Sequence, residues 1–242
     1  MTDSHIVASF DENLNDLRKK IVQMGNLVEE QFTLANRALT DKDKKLAEEV
    51  RKDDKAIDQL ELEIEKFAVE VIALRAPVAD DLREVISSIK ISTSLERMGD
   101  YAKNMAKRLS VLNQIDHLPG STTILSQMVK ITQEMLLDVL DAYVKRDTSL
   151  AIEVWNRDQE VDSLYDILFR DLLTYMMEKP QYITSATHLL FIAKNIERAG
   201  DQTTNIAEIV YYITEGELLE LKRPKKDDTS YVDVGISDTK NK

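Results

Sequence analysis

Apolar residues recur every three or four positions through six long stretches of this chain, with only short breaks between them. The first stretch, from about His5 to Leu39, carries Phe10, Leu14, Leu17, Ile21, Met24, Val28, Phe32, Ala35 and Leu39. That spacing places one apolar stripe along an α-helix. The second stretch runs from Leu46 through Val50, Ile57, Leu60, Ile64 and Val71 to Leu74, and the third from Leu82 to Leu109. Six glycines and four prolines in 242 residues leave few places to turn, which favours few, long helices. Thr40-Asp41-Lys42-Asp43 is expected to be a short turn with capping side chains before the second helix, and Asp147-Thr148-Ser149 to cap the fifth. Pro77 is expected in the first turn of the third helix, ahead of Asp80 and Asp81, and Pro180 is expected to open the sixth.

The second half of the chain repeats the first. Met24, Glu30, Asp43, Leu46, Asp54 and Asp58 return 104 residues later as Met128, Glu134, Asp147, Leu150, Asp158 and Asp162. Glu96-Arg97-Met98-Gly99-Asp100, followed by Asn104, returns 101 residues later as Glu197-Arg198-Ala199-Gly200-Asp201, followed by Asn205. The offset drifts at the prolines, where a junction tolerates a change of length. The expected fold is all-α: two tandem homologous three-helix bundles with short connections, six long helices in all. The expected units are 1–117 and 118–221, with a disordered polar tail at 222–242.

The repeated motif is polar, and helix packing does not require it. Around it the neighbours diverge: Tyr101, Ala102 and Lys103 become Gln202, Thr203 and Thr204, while Glu, Arg, Gly, Asp and Asn stay. Each half also holds two acidic pairs four residues apart: Asp54/Asp58 with Glu96/Asp100, and Asp158/Asp162 with Glu197/Asp201. Residues at that spacing share a helix face, and like charges there cost a few tenths of a kcal/mol per pair. A cation reverses that cost. If the second and third helices of a unit are neighbours, four carboxylates converge in each half. All-oxygen sites favour magnesium, calcium, manganese or ferric-type iron over zinc. Arg97 and Arg198 could orient the carboxylates or hold an anion near the metal. Asn104 and Asn205 could add a carbonyl ligand or a hydrogen bond behind it. Gly99 and Gly200 cost about 1 kcal/mol against Ala within a helix, so their retention points to close helix approach or room for an ion.

Other chemistries lose their residues. There is no Cys for a thiol enzyme, a disulfide framework or a Cys-ligated metal. His5, His117 and His188 show no metal spacing, and Glu-x-x-His, the di-iron signature of helical bundles, is missing. Each His is expected to play an ordinary surface or core part. A formal charge of −12 makes duplex nucleic acid a poor partner. No segment approaches the roughly 18 apolar residues of a membrane helix, and the first residues do not read as a signal peptide, so a soluble protein without direct membrane insertion is expected.

The two motifs, ERMGDYAKN and ERAGDQTTN, with DKAID and DQEVD, resemble the PhoU family of bacterial phosphate-transport accessory and regulatory proteins. The resemblance covers about residues 5 to 217. It implies a PhoU-like pair of three-helix bundles packed side by side. It also implies a divalent or trivalent metal on oxygen ligands (iron, manganese, magnesium or zinc) held by Asp54, Asp58, Glu96, Asp100, Asp158, Asp162, Glu197 and Asp201. A cytoplasmic regulator is implied, peripheral at the inner membrane through its partners. Those partners are the ATPase subunit of a phosphate ABC transporter and a phosphate-sensing histidine kinase, whose output it keeps low when phosphate is plentiful. Long bundles with broad apolar faces often self-associate, and a homodimer is the expected assembly. Catalytic residues are not expected. On the residues alone, a metal-dependent phosphohydrolase and a purely structural bundle stay open as alternatives.

Overall fold

The computed structural model describes residues 2–112, 118 and 120–219. The expected tail from 222 and His117 lie outside the described residues. The described residues form six helices: α1 (Thr2–Asp41), α2 (Lys44–Arg75), α3 (Ala79–Leu112), α4 (Ser121–Lys145), α5 (Thr148–Glu178) and α6 (Ile183–Glu215), with a short 3₁₀ turn at Pro180–Tyr182 before the last. Their apolar stripes are the expected ones except at two ends, where Leu74 is 78% and Leu82 37% exposed. On α1, Leu17, Ile21, Met24, Val28, Phe32, Ala35 and Leu39 are all buried. Each large one contributes about 1.5–3 kcal/mol by leaving water. A few tenths of a kcal/mol of carboxylate repulsion is small beside that, so the bundle can hold acidic pairs without losing its helices.

Turn chemistry fixes the hairpins. Lys42 and Arg146 take left-handed backbone (φ 57° and 53°), and the next residue, Asp43 or Asp147, caps the following helix. Asp43 Oδ1 accepts from the amides of Lys45 and Leu46, and Asp147 Oδ1 from that of Leu150. Turns this tight lay successive helices antiparallel. The proline junctions differ from expectation. α3 starts at Ala79, two residues after Pro77, and Pro180 opens a 3₁₀ turn rather than α6 itself. A proline disfavours α backbone in the residue before it. Lys179, before Pro180, is accordingly extended, whereas Ala76, before Pro77, sits left-handed (φ 45°) and Ala79 follows at φ 49°.

Helices α1, α2 and α3 pack on one another, as do α4, α5 and α6. The two bundles then meet side by side through α1 against α4 and α3 against α6. At the first seam α1 comes very close: a Cβ on Gly25 would collide with the Leu140 side chain. Gln133 Nε2 donates to Glu29 Oε1 and Thr33 Oγ1 there, both at 2.6 Å. A buried acid also joins the halves. Glu84 of α3 is 2% exposed and accepts from Arg18 Nε of α1 at 2.6 Å and from Arg146 of the α4–α5 turn. Among the described residues no helix is long and apolar enough to cross a membrane.

Candidate functional site

In the first bundle the structure brings Asp54 and Asp100 together, and a lysine lies between them. Asp54, on α2, is 3% exposed. Lys103 Nζ, one turn beyond Asp100 on α3, donates to Asp54 Oδ2 at 2.5 Å and to Asp100 Oδ1 at 2.8 Å. Hydrogen bonds to the two carboxylates hold the ammonium firmly charged, Asp100 first and Asp54 next. Gly99 permits the approach: a Cβ there would lie 2.9 Å from Ile57 Cδ1 and 3.5 Å from Asp54 Oδ1. Glu96 is half-buried beside them. Burial, then the charges of Asp100, Glu61, Asp58 and Asp54, push its carboxyl up to about 7. Asp58 is exposed. Burial likewise raises Asp54, against the pull of Lys103.

The second bundle repeats the cluster with deeper burial and without that lysine. Asp158, Asp162 and Glu197 are 1%, 3% and 4% exposed, and Asp201 is half-buried. Gly200 again lets a carboxylate lie on the helix, since a Cβ there would sit 2.9 Å from Asp158 Oδ1. Lys194 Nζ pairs with Glu197 Oε1 at 2.9 Å, while Glu197 Oε2 is buried and makes no hydrogen bond. Burial raises the Glu197 carboxyl, and the Lys194 contact only partly offsets it. In place of Lys103 stands Thr204, whose hydroxyl donates to the Asp201 carbonyl oxygen at 2.8 Å.

Among the described residues, no three His, Cys, Asp or Glu side chains close around one point in a geometry that holds a metal ion. The donor chemistry nonetheless suits a cation. Both clusters are carboxylates from two facing helices, several of them held above their usual range by burial and one another. Each cluster already pairs with a lysine of its own chain, Lys103 across two helices in the first and Lys194 within one helix in the second. In the second, Glu197 Oε2 remains a buried acceptor without a hydrogen bond.

The remaining motif residues lie elsewhere. Arg97, Asn104 and Arg198 are exposed and Asn205 is half-buried. Asn104 and Arg198 line a cleft between α3 and α6 together with His188. The described side chains include neither His5 nor His117. Sequence reasoning missed Lys103. It counted among the changed neighbours of the motif, yet its place three residues after Asp100 and seven after Glu96 puts it on the acidic face.

Comparison with known proteins covers both halves. The family model described as the PhoU domain matches residues 21–109 and 125–210. A phosphate-specific transport system accessory protein PhoU homolog from Caulobacter vibrioides is 47% identical over 223 residues, 92% of this chain and 97% of that protein. The protein of the same name from Zymomonas mobilis is 49% identical over 224 residues, 92% and 94% of the two. The crystal structure of PhoU from Pseudomonas aeruginosa superposes with a TM-score of 0.82 at 38% identity, covering 86% of this chain and all of that one. The phosphate transport system regulatory protein PhoU from Streptococcus pneumoniae gives 0.81 at 34%, covering 88% of this chain and all of that one.

Proposed function

The chain belongs to the PhoU family, and from that membership we propose that it regulates phosphate homeostasis without turning over a substrate. It works at the cytoplasmic face of the inner membrane, as a homodimer, held there by the ATPase subunit of a phosphate ABC transporter. It signals to a phosphate-sensing histidine kinase and keeps that kinase's output low while phosphate is plentiful. The observation that carries this reading is a likeness spanning both bundles, to relatives named as accessory proteins of phosphate transport.

The acidic clusters are the proposed ion sites: Asp54, Asp58, Glu96 and Asp100 in one half, Asp158, Asp162, Glu197 and Asp201 in the other. A bound iron, manganese, magnesium or zinc ion would supply positive charge and tie two helices together. The chain's own residues do the positioning. Gly99 and Gly200 let Asp54 and Asp158 lie against the facing helix, and Lys194 holds Glu197. Supporting an ion in the second cluster are three carboxylates below 5% exposure and no lysine at the place of Lys103. In the first, an ion has to displace the Lys103 ammonium.

The test is association. The purified protein is passed over the immobilised transporter ATPase and, separately, the cytoplasmic part of the kinase, with elemental analysis of the same preparation and of Asp100→Ala/Asp201→Ala. Retention on the ATPase and reduced kinase autophosphorylation are expected, with metal content lower in the variant. Absence of both interactions sinks the regulatory reading. Metal-dependent phosphate release that disappears in the variant would establish the phosphohydrolase instead.

A further inference from the structure

Away from the acidic clusters, the two halves differ at one more place in where a cation comes from. In the second bundle Arg157 of α5 reaches across to α4, where its guanidinium donates to Glu134 Oε2 at 3.0 Å and to Asp138 Oδ2 at 2.7 Å. Glu134 stands 104 residues after Glu30, Arg157 the same distance after Asp53, and Asp138 after Leu34. The first bundle therefore keeps one acid of this trio, loses the arginine and carries an aspartate in its stead. Among the described residues neither Glu30 nor Asp53 makes an ion pair.

Glu30 and Asp53 border a cavity of about 220 Å³ between α1 and α2. Leu27, Leu34 and Ala56 give it apolar walls, and Gln31 completes the described lining, which contains no Lys, Arg or His. Gln31 is 4% exposed, and its Nε2 donates to the Val50 carbonyl oxygen at 3.5 Å. A carbonyl oxygen only accepts, so the amide nitrogen has to face it, and this fixes which way the side chain is turned. Oε1 is left buried without a hydrogen bond, an unfavourable state that a donor relieves.

We propose that this cavity binds an alkylguanidinium group, taking from outside the cation that Arg157 supplies from within in the other bundle. Glu30, Asp53 and Gln31 Oε1 are three acceptors, and a guanidinium carries five N–H donors in one plane to meet them. Among the described residues no three acids converge on a metal ion, and apolar walls suit a methylene stem better than a hydrated ion. The volume lies below the roughly 300 Å³ at which drug-sized pockets begin, which leaves room for one head group and a short stem. Both carboxylates are exposed, so salt weakens the binding. A free alkylguanidine and the arginine side chain of a polypeptide share this chemistry. The proposal stands apart from the ion sites and the regulatory reading, because none of its residues belongs to either acidic cluster.

The experiment is titration of the ¹⁵N-labelled full chain at low ionic strength with butylguanidinium and with acetyl-arginine amide, against butylammonium as the matched control. The signals of the Gln31 side-chain amide are followed. Saturable shifts with a guanidinium probe are expected, at an affinity about fivefold or more above that of butylammonium. Glu30→Gln and Asp53→Asn, both at exposed positions, are each expected to weaken binding about fivefold or more, and Glu70→Gln, farther along α2, to leave it unchanged. Asp53→Arg rebuilds the arrangement of the second bundle and is expected to abolish binding by filling the site from within. Tighter binding of butylguanidinium assigns the cavity to a free small molecule, and tighter binding of acetyl-arginine amide assigns it to an arginine side chain. Absence of saturable shifts with both guanidinium probes, equal binding of butylammonium, or undiminished binding by Asp53→Arg overturns the proposal.

Discussion

Lys103 explains more of the first cluster than any carboxylate in it, because its ammonium joins α2 to α3 through Asp54 and Asp100. Replacing it with the residue its counterpart carries, Lys103→Thr, is expected to increase metal retained per chain after purification without chelator. Equal metal content in parent and variant would show that the ammonium does not compete with an ion. Glu96 gives a pH test on metal-free protein. Its carboxyl titrates at about 7 in the fold against about 4.5 when unfolded, so between those values the folded state binds more protons. Its contribution to stability therefore falls as pH rises through that window. Glu96→Gln is expected to gain in melting temperature relative to the parent from pH 5 to 7.5, and a constant difference would refute the assignment. The acidic residues were legible in the sequence because duplication kept them while Tyr101, Ala102 and Lys103 changed. The meaning of Lys103 was not, because it depends on Asp54, 49 residues away on another helix. Glu84 was likewise invisible: an acid on a polar stretch reads as solvated until Arg18 and Arg146 arrive from elsewhere.

The helices themselves were written in the apolar spacing, and so were the two capped turns, because an aspartate shortly after a stripe ends is a local signal. The proline junctions were not. A proline suits both the first turn of a helix and the bend before it, and the choice depends on how α3 and α6 must leave to reach their neighbours. At the first junction the choice leaves Ala76 in left-handed backbone, which costs an L-residue about 1–2 kcal/mol. Glycine there loses about 0.4–1 kcal/mol through the unfolded chain. Ala76→Gly is thus expected to stabilise the protein by up to about 1 kcal/mol, read as a rise of a few degrees in melting temperature. Destabilisation would mean that Ala76 is not strained. Gly25 is the reverse case. Its missing side chain is what lets Leu140 of α4 lie against α1.

At the scale of the molecule, Glu84 is where α1, α3 and the α4–α5 turn converge. Glu84→Ala strands two arginines that are themselves 25% and 41% exposed, so the expected loss is about 1–3 kcal/mol rather than the 3–5 of a fully buried pair. The loss is expected to appear as separation of one melting transition into two as the bundles uncouple, and a single transition shifted by less than a degree would rule this out. The duplication shows at this scale as two near-copies with unequal counter-ions. A lysine side chain cannot be dialysed away, outcompeted by a chelator or depleted by a starving cell, because its local concentration is set by a covalent bond. A dissolved ion can. Of two limbs descended from one ancestor, the first has its two helices tied by a side chain that no medium removes. The second has its lysine, Lys194, on the same helix as the carboxylate it pairs with.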